Sequence, residues 1–296
     1  MMSKKHAYLI MAHNHWKQLE ILLKCIDHPQ NDIYLHIDKN VREFPEQELK
    51  EAVKKSKLLF VKRYKIAWGS PKAVKCIINL LKSASVNHYE YYHLLSGVDL
   101  PIVSQDEIHA FFAANQGKQY VGFDWDGIQK QSFLIRAQYY YLFSGWLGKG
   151  PHRTKIKRAL STVQELFIVL QKKLGVNRLK KSSFLYKGSE WFSISDDLVS
   201  AIVSDSKRII KKYLFTLGAD ELWLQNYVFL HGWSDRLAEN NARFIMWRQG
   251  DPSPLTITAK DSSEMLQSKK LFARKFDDEV DKEVIDFIYH TVLSKE

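Results

Sequence analysis

The stretch "YEYYHLLSGVDLPI" (Tyr89–Ile102) decides the fold. Tyr89 to Ser96 is rich in strand-forming aromatic residues and reads as a β-strand. It stops at the turn "SGVDLP", where Gly97 and Pro101 interrupt the extended run. Upstream, strand-like and helix-like segments alternate. "AYLIMA" (Ala7–Ala12), "DIYLHID" (Asp32–Asp38) and "LLFV" (Leu58–Val61) read as three earlier strands. After His15, Leu19, Leu22, Leu23 and Ile26 recur at helical spacing. "PEQELKEAVKKS" (Pro45–Ser56) opens a second helix on proline. Pro71 opens a third, with Val74, Ile77, Ile78 and Leu81 on one face. This rhythm predicts an α/β fold, a mostly parallel central sheet flanked by helices, with ligands bound beyond the carboxyl ends of the strands. Three such ends stand out: "HIDK", "AWGS" and "SGVDLP".

The 296 residues are 45% hydrophobic and 13% aromatic, enough for a substantial core, which excludes a disordered chain. "AYLIMA" is too short to span a bilayer and lacks the layout of a secretory signal, so a cytoplasmic location is expected. Cys25 and Cys76 lie in apolar, helix-like contexts without metal-ligand spacing and read as buried free thiols. A net charge of +11 calls for an anionic partner, whether nucleic acid, membrane surface or phosphorylated small molecule. No zinc-finger spacing, RNP-like strand or basic region running into heptads is present, which argues against nucleic acid.

"FSGWLGKGPHR" (Phe143–Arg153) is the strongest internal breaker cluster. After it, Ile156, Leu160, Val163, Phe167, Leu170 and Leu174 mark a long amphipathic helix. Lys155 to Lys181 holds eight Lys/Arg against one Glu. Two readings stand: a helix packed on the domain with a solvated basic face, or an interfacial helix on anionic lipid. Beyond it, "SEWFSIS" reads as strand, "DDLVSAIVSDSKRIIKKYL" and "ADELWLQNYVFLHG" as helices, and "ARFIMWRQ" and "KLFARKF" as strands.

The motifs "AYLIMAHNH", "IYLHIDKN", "IAWGSPKAV", "YYHLLSGVDLPI", "GSEWFSIS", "ADELWLQNYVF" and "KLFARKFD" occur in that order. Together they resemble the core-2/I-branching glycosyltransferases, which include β-1,6-N-acetylglucosaminyltransferases and peptide O-xylosyltransferases. The resemblance runs from about Ala7 to Asp277 and implies one glycosyltransferase domain over 1–296 with a GT-A type fold. Within it, 1–142 is expected to bind the nucleotide sugar, 143–189 to form a basic helical insertion, and 190–296 to serve acceptor and catalysis. The resemblance also implies inverting transfer of a sugar, GlcNAc or xylose, from a UDP-sugar to a hydroxyl of a glycan or lipid-linked saccharide. It implies no metal and no cofactor beyond the UDP-sugar co-substrate. With two cysteines and no anchor-like segment, a bacterial relative is expected, facing the cytoplasm and working in surface polysaccharide biosynthesis, with possible peripheral contact to the membrane.

Such a transfer needs a base for the attacking hydroxyl and positive charge for the departing diphosphate. By resemblance, Glu221 of "GADELWLQ" is the base; the bare residues equally allow Asp220 and Glu221 to cap a helix, and Asp220 is assigned that role. Trp223 and Trp233 are positioned to desolvate Glu221. By resemblance Lys275 contacts the donor diphosphate, with Arg274 beside it and Arg243 a candidate by position. His13, Asp38, Ser96, Gly97 and Asp99 follow strands where the nucleotide sugar is expected, Gly97 admitting close backbone approach. Asp38 can also be a strand-end cap, and His36 is expected to face the core. Glu190, Trp191 and Arg136 are the acceptor-side candidates.

Two alternatives remain. Asp124 and Asp126 of "FDWDG" form an Asp-x-Asp pair that could hold Mn²⁺ or Mg²⁺ in a metal-dependent enzyme. The chain could otherwise be a non-catalytic basic module that binds nucleotide or polyanion. A Rossmann oxidoreductase is disfavoured, since no G-x-G-x-x-G follows the first strand.

Overall fold

The computed structural model describes residues 5–125, 131–149, 154–179, 185–248, 250–251 and 253–293. Among the described residues the strands are β1 (His6–Ala12), β2 (Asn31–Ile37), β3 (Lys57–Phe60), β4 (Tyr91–Ser96), β5 (Leu100–Pro101), β6 (Tyr120–Val121), β7 (Phe192–Ser195), β8 (Arg243–Ile245) and β9 (Phe272–Arg274). The helices of the first half are α1 (Trp16–Cys25), α2 (Glu46–Glu51), α3 (Pro71–Ser85), α4 (Gln105–Ala114), α5 (Gln131–Gln138) and α6 (Ser144–Leu147). The second half adds α7 (Lys155–Lys173), α8 (Asp196–Ser204), α9 (Ser206–Tyr213), α10 (Trp223–Leu230), α11 (Ser262–Gln267) and α12 (Lys282–Leu293).

The central sheet has the order β3-β2-β1-β4-β7-β6, and β1, β2, β3 and β4 are mutually parallel. β7 pairs antiparallel with both β4 and β6. This is the mostly parallel, helix-flanked sheet expected from the sequence. Because β7 lies beside β4, the chain after 190 shares one sheet with the first hundred residues. A small second sheet, β5-β9-β8, sets β9 antiparallel to β5 and parallel to β8.

Strand alternation divides the core in two. From β1, Tyr8, Ile10 and Ala12 point to a cluster with Leu19, Leu22 and Leu23 of α1 and Phe272 of β9. Ala7 and Leu9 point to the opposite cluster, with Val74, Ile77 and Ile78 of α3 and Trp223 of α10. Both faces are covered, so the strands read as continuous apolar runs. The chain winds to one side of β1 through β2 and β3, then crosses to the other side for β4. The crevice beyond β1 and β4 is therefore the switch point of the sheet, where open α/β sheets place their ligands.

Local chemistry explains where elements stop short of expectation. The second helix ends at Glu51 rather than running to Ser56. The buried Asp27 carboxylate accepts the amides of Lys54, Lys55 and Ser56, which turns the chain away. The helix expected over Asp196–Leu214 is two helices meeting at Asp205, whose carboxylate takes the Tyr227 hydroxyl at 3.0 Å. Tyr139, Tyr140 and Tyr141, after α5, lie in a loop. Cys25 and Cys76 are buried free thiols, and His36 is buried, accepting the Tyr64 amide at 2.9 Å.

Arg243 corrects a sequence expectation. It is not available to a diphosphate: it is 5% exposed, and its guanidinium donates to the Ser193 hydroxyl at 3.0 Å, the Leu94 carbonyl at 3.3 Å and the carbonyls of Phe192 and Asn241. It stacks 5.0 Å over Phe272. The side chain ties β8 and β9 to β4 and β7, and burial lowers its pKa to about 9. Arg243→Ala strips donors from several buried carbonyls. We expect it to cost about 2–4 kcal/mol, read as a lower urea midpoint with unchanged slope; wild-type stability would return Arg243 to the list of free cations.

Candidate active site

At the end of β4, Asp99 is 2% exposed and both its carboxylate oxygens are occupied. Oδ2 accepts the Ser96 amide at 2.8 Å, while Oδ1 accepts the Ser96 hydroxyl at 2.6 Å and the Arg274 guanidinium at 2.5 Å. Ser96 also receives Arg274 Nη1 at 2.7 Å. Neither residue is a free nucleotide ligand; together they hold Arg274, which comes from β9. Gly97 is likewise re-assigned: a Cβ there would lie 2.9 Å from the Ala12 Cβ, so its smallness serves packing of the turn on β1. The other face of the Arg274 guanidinium is covered by Trp191, 4.3 Å from the ring. Trp191, 7% exposed, is thus a platform for Arg274 rather than an open ring for a saccharide.

Lys275, next in the chain, is different. Among the described residues its ammonium meets no carboxylate within ion-pair distance. The carboxylates nearest in sequence, Asp277 and Asp278, turn instead to His15 after β1, with Asp278 Oδ1 2.5 Å from His15 Nδ1. Those three side chains are the described group whose ligand atoms lie close enough to share a metal ion. Asp124 pairs with Lys187 at 2.9 Å, and Asp126 lies outside the described residues.

The nucleotide-side candidates after β1 and β2 separate. Asp38 accepts the amides of Asn40 at 2.7 Å and Ile66 at 3.2 Å, the strand-end cap that was one of its two readings. His13 is exposed at the end of β1. Desolvation lowers its pKa, against the pull of nearby Asp38 and together with the repulsion of His15.

Glu221 closes a 3₁₀ turn, Ala219–Glu221, immediately before α10. The N-cap positions there are Gly218 and Leu222, and neither has a side-chain cap, so Asp220 does not cap the helix. The Glu221 carboxylate is held by two cations, Arg136 Nη1 at 3.3 Å and the Lys149 ammonium in a very short contact. Arg136 therefore sits on the candidate base. Lys149 escaped the sequence reading altogether. Its stem threads between two glycines of positive φ: a Cβ at Gly69 would lie 2.5 Å from Lys149 Cγ, and one at Gly218 2.6 Å from Cε. The backbone closes the same arrangement, with the Lys149 amide on the Trp68 carbonyl at 2.7 Å and the Gly218 amide on the Gly69 carbonyl at 2.7 Å. The signal was in the sequence as "WGS", "LGKG" and "LGAD", but nothing local joins the three.

The desolvation expected for Glu221 falls on its neighbours. Asp220 is 4% exposed, and burial raises its pKa, against Lys149 and together with Glu221. Glu190 is partly exposed, yet its carboxyl is pushed well above the ordinary range. Desolvation is the main cause, then the charge of Asp220, opposed by Arg274, with Glu221 and Lys149 adding smaller contributions of either sign. Glu190 thus feels the charges of Asp220, Glu221 and Lys149 on one hand and of Arg274 on the other, with Lys275 following Arg274 in the chain.

The family model for "Core-2/I-Branching enzyme" matches residues 6–269. The chain belongs to that family. The match ends before Arg274 and Lys275. Xylosyltransferase 2 of Canis lupus familiaris is 20% identical over 311 residues, and that of Mus musculus 21%, each match covering 95% of this chain. A Ciona intestinalis xylosyltransferase is 20% identical over 304 residues. The chain spans about a third (33%) of the length of these relatives. Among solved structures, apo mouse xyloside xylosyltransferase 1 superposes at a TM-score of 0.40 with 10% identity, covering 90% of this chain and 96% of the other. A 4-diphosphocytidyl-2C-methyl-D-erythritol synthase of Anaerococcus prevotii superposes at 0.38 with 13% identity, over 90% and 97%.

The raised carboxyls have a stability consequence. A group that keeps its proton in the fold at a pH where the unfolded chain releases it loses stability as pH rises out of the ordinary carboxylate range. Glu190→Gln and Asp220→Asn are therefore expected to raise the melting temperature above wild type at pH 8, with the gap closing toward pH 4. Melting curves across that range check this; a gap that widens toward acid would reverse the sign.

Proposed function

We propose that this member of the family is an inverting glycosyltransferase. It moves a sugar, GlcNAc or xylose, from a UDP-sugar to a hydroxyl of a glycan or lipid-linked saccharide, without a metal ion, in surface polysaccharide biosynthesis. The observations that carry the reading are the Glu221 carboxylate held by Arg136 and Lys149, and Glu190 beside it, which feels the charges of both Glu221 and Arg274. The relatives named xylosyltransferase favour a pentose donor within this reading.

In the transfer, the acceptor oxygen bonds to the anomeric carbon as the bond from that carbon to the diphosphate oxygen breaks. The hydroxyl proton goes to Glu221, and the electron pair leaves with the diphosphate. Arg136 and Lys149 hold the Glu221 carboxylate in place, and an arriving hydroxyl takes the position of Lys149 on it. The protonated Glu190 carboxyl is suited to donate a hydrogen bond to a sugar hydroxyl. On the donor side, Arg274 is half neutralised by Asp99, so Lys275 supplies the larger share of free positive charge for the diphosphate. His13 stands at the nucleoside end.

Glu221→Gln preserves shape and removes the proton acceptor; turnover should fall by about 10²-fold or more with the melting temperature unchanged. Lys275→Ala should depress kcat more than it raises the acceptor KM. Transfer from a panel of UDP-sugars to acceptor glycans measures both, and near-normal turnover in either variant refutes that assignment. Activity should persist in excess EDTA. Loss in EDTA with recovery on Mn²⁺ would instead place an ion on His15, Asp277 and Asp278. Silence across the whole panel, acceptors present, leaves the non-catalytic reading.

A further inference from the structure

Helix α7 is built inside out. The side chains it buries are Gln164 and Gln171. Gln164 accepts the Phe143 amide at 3.1 Å and donates to the Tyr140 carbonyl at 3.3 Å. Gln171 accepts the Tyr140 amide at 2.8 Å and donates to the same carbonyl at 3.1 Å. The helix is thus fastened to the 140–143 segment by amide hydrogen bonds from its buried side chains. Leu160, Phe167 and Ile168 are half-buried, but other apolar residues point away. Ile156, Val163, Leu166, Leu170 and Leu174 are each half or more exposed, Ile156 to 75%. At about 100° per residue these five and Ala159 fall in one continuous arc. An apolar stripe of this kind marks an interaction face.

The stripe does not stand alone. Phe143, whose amide the buried Gln164 of this helix holds, lines a groove of about 460 Å³ together with Leu142, Trp146 and Leu214. Trp146 is 65% exposed. Lys72 and Lys75 form part of the same groove wall. Along α7, Lys155 and Lys173 border the apolar arc, and the helix carries five basic residues against one acid, Glu165. No described helix is long and apolar enough to cross a membrane, so the face lies on its partner rather than passing through it.

We propose that this face, the outer stripe of α7 with the Leu142–Trp146 groove, docks the protein on an anionic lipid bilayer. Leucine, isoleucine and tryptophan enter the acyl boundary, and the bordering lysines meet anionic headgroups. Charge selects this occupant over a second copy of the chain. Two copies meeting here would bring Lys155 and Lys173 of each against the basic rim of the other, on a protein whose net charge is already +11. Trp146 precedes Lys149, the partner of Glu221, by three residues, so the docked face adjoins the candidate active site.

The test is flotation of the full chain with vesicles of phosphatidylcholine containing phosphatidylglycerol, with pure phosphatidylcholine as control and no sugar nucleotide present. Binding is therefore read independently of transfer activity. Wild type should float with the anionic vesicles, weaken tenfold or more on the neutral ones, and be released by high salt. Leu166→Asn/Leu170→Asn, on the exposed side, should keep the wild-type circular dichroism and melting temperature while losing tenfold or more of the binding. Trp146→Ser is a second variant expected to weaken it. The proposal is overturned if wild type ignores anionic vesicles, or if the folded double variant binds them equally well. A wild-type dimer that the double variant converts to monomer, without vesicle binding, overturns it in favour of a copy-to-copy interface.

Discussion

The pair between Asp99 and Arg274 is the constraint on which the rest of the site depends. Asp99 ends the turn after the fourth strand of the main sheet, and Arg274 ends the last strand of the small one. A carboxylate this buried is tolerated because both its oxygens are met, by one backbone amide, one hydroxyl and one guanidinium. The same contacts that satisfy Asp99 fix where β9 lies on the core, and therefore where Lys275 begins. Trp191 and Ser96 complete the enclosure of Arg274. The buried Arg243 bonds the two sheets together through carbonyls rather than carboxylates.

Once that frame is set, the electrostatics of the crevice follow from unequal sharing. Three carboxyl groups approach one another, and they cannot all be ionised in a dry environment. Glu221 takes the two cations, Arg136 and Lys149. Burial drives Asp220 and Glu190 toward their neutral forms, against the pull of Lys149 on Asp220 and of Arg274 on Glu190. This separates a carboxylate paired with two cations from neighbours pushed toward protonation and fit to donate hydrogen bonds. On the far side, Arg274 is compensated and Lys275 is not, so the two adjacent cations have different work: the first is held, the second is available.

Much of this was legible in the sequence, and the limits of legibility are physical. Strand and helix order was readable because burial on two sheet faces leaves continuous apolar runs, and helices leave a 3.6-residue period. The positions of Glu221 and Lys275 were readable as motifs. The misassignments concern charged or small residues whose role depends on a partner: Asp99 and Ser96, which support Arg274; Arg243, a strut; Gly97, packed on Ala12; and Trp191, covered by a guanidinium. Helix α7 shows the same lesson in reverse. Its apolar period was plain, but period alone does not say which face is buried, and hydrogen bonds from two glutamines turned the apolar face outward.

By itself the sequence determined the α/β class, the places where strands end in breaker-rich turns, and the family to which the chain belongs. These are local properties, written in periodicity and in short motifs. Tertiary structure alone decided which charges neutralise one another. Lys149 and Glu221 are 72 residues apart, and Arg274 and Asp99 are 175 apart. No local pattern encodes such pairs. They exist because a sheet wound both ways from β1 brings its strand ends to one crevice, where desolvation forces every buried charge to find a partner or give up its ionisation.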